Sequence, residues 1–361
     1  MNPAQTRPAR TQEETPMRKE TPMRKETLMR KLVASKGYAR RSAQLSALAL
    51  IVAAAATTAP NAVAATPAGA LTWTAQPSIP TARGALASAV LDGNIYVLGG
   101  ATSSDPSSKA LWRKHVSMLN TLESYNPRTK HWSTLPPLPT SSGFLAAASL
   151  NGQIYAIGGE DTAGDNLAKV ESYSPGSGSW KTDAPLPAAK AGDHAAVGGG
   201  GRVYALDAKG GLEIYNPTTN RWTLGPTMPT EADLPGLAWS GNRLYAIGGL
   251  TAKKAPLDNV QVYDPATNTW QEKATVPTPR GHPAVGTLAD GQIIVAGGGP
   301  PFKITADVEL YTPSSNTWQQ LTALPMAMDP TGAVVGNKFY VISGFVNGAF
   351  VTTSVWAAVV Q

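Results

Sequence analysis

Tyr125-Asn126-Pro127-Arg128-Thr129-Lys130-His131-Trp132 is the phrase on which the reading of this chain turns. It returns as Tyr173-Ser174-Pro175 running to Trp180, Tyr215-Asn216-Pro217 to Trp222, Tyr263-Asp264-Pro265 to Trp270 and Tyr311-Thr312-Pro313 to Trp318. Successive tryptophans of this series lie 48, 42, 48 and 48 residues apart. A period of that size marks an array of one supersecondary unit, each copy burying its apolar surface against the next.

Working outward from the phrase, every unit has the same internal order. A run of small or apolar residues such as Ala85-Leu86-Ala87-Ser88-Ala89-Val90 is followed by a turn, Asp92-Gly93, and by Ile95-Tyr96-Val97-Leu98-Gly99-Gly100. The glycine-terminated run recurs as Ile154 to Gly159, Leu244 to Gly249 and Ile293 to Gly298. Runs this short, β-branched or aromatic and bounded by Gly, Asn and Pro, predict strands. A third strand follows a variable loop, as in Val170-Glu171-Ser172-Tyr173, and the Asn-Pro-x-Thr stretch supplies turn chemistry before Trp opens a fourth. A Pro-rich connection such as Leu135-Pro136-Pro137-Leu138-Pro139 leads to the next unit.

Paired glycines, then Tyr, then Trp, in fixed order from Leu71 to the C-terminus, resemble the kelch repeat. The resemblance implies an all-β, six-bladed propeller of four-stranded blades, within the broad superfamily that includes the galactose oxidase central domain. The sixth unit starts at Leu324-Pro325, has a second strand at Phe339 to Gly344 and a third at Thr353-Ser354-Val355-Trp356, and then the chain ends. Leu71-Thr72-Trp73-Thr74 is a fourth strand without a blade. The economical expectation is that the strand around Trp73 completes the last blade and closes the ring, leaving no open edge. Small runs such as Ala146-Ala147-Ala148-Ser149 suit the crowded axis, and the Tyr and Trp rings belong between blades. The third unit departs from the pattern, with Leu206-Asp207 in place of the glycine pair, so its turn must differ.

The first 65 residues follow other rules. Glu14-Thr15-Pro16-Met17-Arg18-Lys19 recurs at Glu20 and nearly so at Glu26, which makes 1–28 a low-complexity leader upstream of a translation start expected at Met29. Residues 29–65 have the layout of a secretory signal peptide: basic residues through Arg40-Arg41, an apolar run from Leu45 to Ala56, and small residues around Ala62-Val63-Ala64-Ala65. The paired arginines leave both the general and the twin-arginine export routes open. The apolar run is shorter than the roughly 20 residues of a membrane span, so no membrane anchor is expected in the mature chain. An exported protein, periplasmic or extracellular, with the propeller at 66–361 and a monomeric state, is the expectation. Residues 1–65 carry 11 of the 30 Lys and Arg and 4 of the 24 Asp and Glu, so the remainder holds 19 against 20 and is near −1. A near-neutral array with scattered charge lacks the clustered cations that nucleic acid requires. The chain has no cysteine. Disulfides, a lipid anchor attached through cysteine and thiolate zinc sites are thereby excluded, as is the crosslinked cysteine–tyrosine cofactor of galactose oxidase. No cofactor and no metal are expected.

Chemistry is expected where the loops entering the innermost strands converge. Those loops carry Arg83, Ser142, Lys190, Glu231 with Asp233, Arg280 and Asp329, and one or two steps further on Phe144, Asp193, His194 and His282. A mixed-charge ring of this kind suits a small polar ligand such as an acidic sugar, with an arginine forking its carboxylate. Taken singly, each residue is better read as a loop tip bonded between blades; as a convergent cluster, they read equally well as a site. Asp193 and His194 are adjacent, so on a strand they face opposite ways and form no ready-made dyad. A second candidate is the long 101–121 loop with Trp112 and Arg113, residue types that anchor interfaces.

Two functions remain open. The first, preferred because nothing here forces catalysis, is a recognition module for a protein or glycan partner. The second follows from similarity to exported bacterial six-bladed kelch proteins, among which is the sialic-acid mutarotase: a sugar mutarotase or epimerase. It would use a general acid and base from Glu231, Asp193, His194 or His282, with Arg83 or Arg280 holding a carboxylate.

Overall fold

A computed structural model of the chain describes residues 69–103, 116–187, 195–299, 303–346 and 350–360. The leader and signal readings fall outside them. Every regular element described is a strand, and these form six four-stranded antiparallel sheets and one two-stranded hairpin. In blade 1 the order from axis to rim is Ala87–Leu91, Asn94–Leu98, Leu122–Asn126 and His131–Leu135. Ile95, Tyr96, Val97 and Leu98 are all buried, since the strand is covered on both faces by neighbouring blades. The innermost strands touch in a complete circuit, blade 1 against 2 and so on to blade 6 against 1. Ala146, Ala147 and Ala148 sit in that circuit with almost no exposed surface, as the taper demands. The molecule is a six-bladed β-propeller.

Closure occurs at the expected place. Thr74–Gln76, directly after Trp73, pairs with Phe350–Val359, Ala75 opposite Trp356, and so becomes the outer strand of blade 6. One device repeats at all six joints. The indole N–H of the fourth-strand tryptophan donates to a carbonyl of the connection entering its own blade: Trp132 to Pro77, Trp180 to Pro136, Trp222 to Ala184, Trp270 to Pro226, Trp318 to Ala274 and Trp73 to Thr322. Tyrosines fill the seams between blades. Tyr96 meets Tyr173, Tyr155 meets Tyr215, Tyr204 meets Tyr263, Tyr245 meets Tyr311 and Tyr340 meets Tyr125, with centroids 5.8–6.5 Å apart. At the seam between blades 5 and 6, Phe339, which meets Trp73 of its own blade at 6.4 Å, lies in one buried cluster with Ile294 and Leu310 of blade 5. The aromatic residues therefore build the core, as expected.

Antiparallel order gives a blade two different ends. Turns between strands 1 and 2 and between strands 3 and 4 lie at one end, the turn face. Loops between strands 2 and 3, and the connectors that enter each blade, lie at the other, the connector face. The turn face varies less, its departure being blade 5, where a longer turn from Leu288 to Gln292 replaces the two-residue one. Asp92-Gly93 and Asn151-Gly152 are two-residue turns with both residues at positive φ, the type that matches strand twist. In the Asn-Pro turn the Asn126 carboxamide oxygen accepts from the Arg128 and Thr129 amides, while Lys130, Asn220, Asn268 and Asn316 take the left-handed position.

The connector face is varied. Blade 1 raises a hairpin there, Ala101–Ser103 paired with Val116–Met118. Blade 6 extends its middle strands, Lys338–Val346 and Phe350–Val359, beyond the expected Phe339–Gly344 and Thr353–Trp356, with a register shift between Ile342 and Gly344. Blade 3 is cut short: the Asp207 carboxylate accepts from the Lys209 and Gly211 amides and folds the loop back on itself. This is the different turn that the missing glycine pair predicts.

Candidate functional site

The glycine pair links the blades on the connector face. Its second member lies in the left-handed region and donates its N–H to the connector of the next blade: Gly100 to Ser142, Gly249 to Arg280, Gly298 to Met328 and Gly344 to Arg83. Any Cβ at Gly344 would stand 2.0 Å from the Asp329 carbonyl oxygen. One step inward, the residues that begin to turn toward the axis also have positive φ: Ala85, Phe144, Leu234 and His282, at φ 50–55°. Phe144 N–H donates to the Ala85 carbonyl at 2.8 Å and His282 N–H to that of Leu234 at 2.7 Å. Non-glycine residues held there carry strain that the surrounding bonds must offset, a feature concentrated at functional sites.

His282 and Asp329 come together on this ring. Nδ1 of His282, in blade 5, lies 2.5 Å from Oδ1 of Asp329, in blade 6, and the side chains are 23% and 19% exposed. The sequence separation is 47 residues, one blade, so packing of blade 6 against blade 5 makes the pair. Phe144 holds the equivalent place three blades away, across the axis, and is half-buried.

The two arginines are not on the ring, and the expectation that they fork a ligand's carboxylate is corrected. Arg83 and Arg280 have no exposed surface. Arg83 donates to Glu123 Oε2 at 2.5 Å and to the Thr81 and Val97 carbonyls. Arg280 donates to Glu309 and to the Thr278, Gly297 and Asp307 carbonyls. Burial pulls both guanidinium groups below their usual range, and the glutamates oppose that shift. Burial likewise pushes the Glu309 carboxyl up against the pull of Arg280. These pairs clamp connector to strand inside the blade wall. In blade 2 Ser142 replaces the arginine and bonds to the Gly158 carbonyl, while Lys169 reaches Thr140, which donates to Glu171. In blade 4 a neutral Gln261 does the work, bonding both the N–H and the carbonyl of Thr230.

Asp233 is also engaged. It is buried and bonded to Lys254 of its own blade's loop. Its position is glycine in blades 1, 2 and 5, and each glycine is covered by a side chain from the blade before: Phe345 over Gly84, Met118 over Gly143, Leu250 over Gly281. Blade 3, with its short loop, precedes Asp233. Glu231 is exposed on the blade 4 connector. Lys190, Asp193 and His194, and Trp112 and Arg113 of the long loop, lie outside the described residues. Among the described residues no three His, Asp or Glu side chains gather as metal ligands would.

Comparison with known proteins agrees with this geometry. A family model described as the Kelch motif matches residues 143–187 and 236–277. Kelch repeat and BTB domain-containing protein 12 of Danio rerio is 32% identical over 139 residues, which is 38% of this chain and 16% of that protein. Influenza virus NS1A-binding protein of Homo sapiens is 33% identical over 87 residues, 24% of this chain and 12% of that protein. The match thus spans less than a fifth of the length of these curated relatives. A solved structure titled "Structure of YjhT" superposes with a TM-score of 0.64 at 17% identity, covering 78% of this chain and 95% of that one, a likeness of fold.

Proposed function

We propose, for a chain that belongs to the kelch-repeat β-propellers, an exported recognition module that engages a protein or glycan partner through its connector face. One observation carries this reading: the departures from the repeat described above gather on that face. The raised hairpin of blade 1, the long hairpin of blade 6 and the truncated loop of blade 3 are all there, against one longer turn, in blade 5, on the turn face. Loops on a rigid ring are where binding residues are free to vary. The relatives are consistent with it, one being by name a protein that binds another protein. The test is binding of the full chain to an array of secreted proteins and glycans. Val346→Lys and Phe350→Lys on the connector face should abolish any hit, and Arg128→Glu and Thr218→Lys on the turn face should leave it unchanged. The reverse pattern would reject this assignment of the face.

A second reading has one specific support, the His282–Asp329 hydrogen bond. A carboxylate that fixes the tautomer and orientation of an imidazole is how a general base is prepared. Sugar mutarotation or epimerisation at the ring would use His282, with Glu231 on the neighbouring connector as the second group. Anomer exchange followed by NMR over a panel of free sugars, sialic acid included, decides the matter. Acceleration lost in His282→Gln supports it, and no acceleration with any sugar removes it.

A further inference from the structure

We infer that the turn face docks the propeller onto an anionic lipid bilayer and so leaves the connector face pointing away from the membrane. Short turns keep this face low. The inner turns of blades 1, 2, 3, 4 and 6 have two residues, and the outer turns of blades 1 to 5 have four. Blade 5 has the longer inner turn from Leu288 to Gln292, and all of these turns lie among the described residues. With the strand residues that flank them, they carry six of the 19 Lys and Arg of residues 66–361 but three of the 20 Asp and Glu. The cations are Arg128, Lys130, Arg202, Arg221, Arg243 and Lys338, and the acids are Asp92, Asp264 and Asp290. This face is therefore near +3, while the rest of residues 66–361, with 13 cations against 17 acids, is near −4.

Most of that positive charge is available. Arg243 is paired with Asp264 at 2.9 Å. Arg128, Lys130, Arg221 and Lys338 are exposed, and among the described residues no carboxylate pairs with any of them. They are spread over blades 1, 3 and 6 rather than held in one cluster. A stiff polyanion meets so wide a spread at few points. Lipid headgroups diffuse sideways, so a bilayer brings an anion to each cation of a low face, and each such contact raises partition about fivefold. The negative remainder of the propeller is repelled by the same surface, which fixes the orientation. Nothing in this docking depends on what the connector face binds.

Residues 66–361 contain every strand described and the segment that closes the ring, so they are tested without the basic leader. The probe is a sucrose-loaded vesicle of phosphatidylcholine with about 30% phosphatidylserine, at about 0.05 M salt. The protein should sediment with these vesicles and not with phosphatidylcholine alone, and about 0.5 M salt should release it. Arg128→Glu with Arg221→Glu should cut the partition coefficient at least about 25-fold. Lys209→Glu with Lys253→Glu makes the same change in net charge on connector-face loops and should cut it less than about threefold. A strand of about 17 Å separates those loops from the bilayer, more than the screening length. Tryptophan fluorescence confirms that each variant is folded. Equal sedimentation with the neutral vesicles, none with either, or equal losses in the two double variants overturns the inference. So does binding to soluble dextran sulfate without binding to vesicles. Recognition by the connector face is read separately on the array and would survive any of these results.

Discussion

Arg280 and Glu309 show how much a single buried pair is asked to do. Neither side chain has exposed surface, and Glu309 Oε1 has no hydrogen-bond partner. Removing the cation leaves a carboxylate buried without its counter-charge, which costs about 3–5 kcal/mol in comparable pairs. Arg280→Ala should therefore lower the unfolding free energy by that amount in urea titrations. Arg280→Met with Glu309→Leu, which removes both charges and keeps volume, should recover most of it. An Arg280→Ala loss below about 1 kcal/mol would mean that the pair is not buried as described. The sequence contained the signal for these glutamates, although position in the loop alone suggested ligand-binding arginines. Glu123, Glu171, Glu213 and Glu309, with Gln261, each stand two residues before the third-strand tyrosine. Period-two alternation puts them on the same face as a tyrosine read as core, and a buried carboxylate requires a partner. What was not legible is which arginine answers, because Arg83 lies 40 residues and Arg280 29 residues from its glutamate.

At the scale of elements, the blades are fastened by short pieces that cross the seams. Phe345 lies over Gly84, where an added Cβ would come within 2.5 Å of its ring. Gly84→Ala should destabilise the protein by about 1–3 kcal/mol through overpacking, and adding Phe345→Ala should restore part of the loss. Additive destabilisation by the two changes in thermal unfolding would sever the proposed contact. Closure makes a second prediction. Thr74–Gln76 is only three residues long, yet it covers the free edge of the last blade. A chain lacking residues 69–76 should expose that edge and self-associate, so light scattering after gel filtration should report oligomers; a monodisperse monomer would show the strand to be dispensable. Closure could be read in advance because Trp73 is an orphan copy of a repeated residue. The length of the blade 6 strands could not, since Ser343 and Gly344 keep the left-handed φ of the glycine pair in blade 1 and pairing resumes beyond them after a register shift.

The whole molecule is a ring whose seams are lined by phenols, and that makes its stability depend on alkali in a definite direction. Ten tyrosines belong to the blades, and burial raises the pKa of every one: Tyr96, Tyr125, Tyr155, Tyr173, Tyr204, Tyr215, Tyr245, Tyr263, Tyr311 and Tyr340. Tyr311 is pushed up to about 12, and at Tyr215 the Asp183 carboxylate adds to the effect of burial. A pKa raised in the folded state means that the fold prefers the neutral phenol. Its stabilising contribution is complete below the ordinary value of 10.0 and is lost as pH rises from there toward the folded value. Because the rings touch across five of the six seams, ionising one introduces a charge beside its neighbour, and the seams should fail together. Tyrosinate absorbance near 295 nm and tryptophan fluorescence should accordingly change in one shared, cooperative step above pH 10. Tyrosines that titrate near their ordinary value while the fluorescence holds steady would show that the seams are wet, and would remove the aromatic packing from the account of what closes the ring.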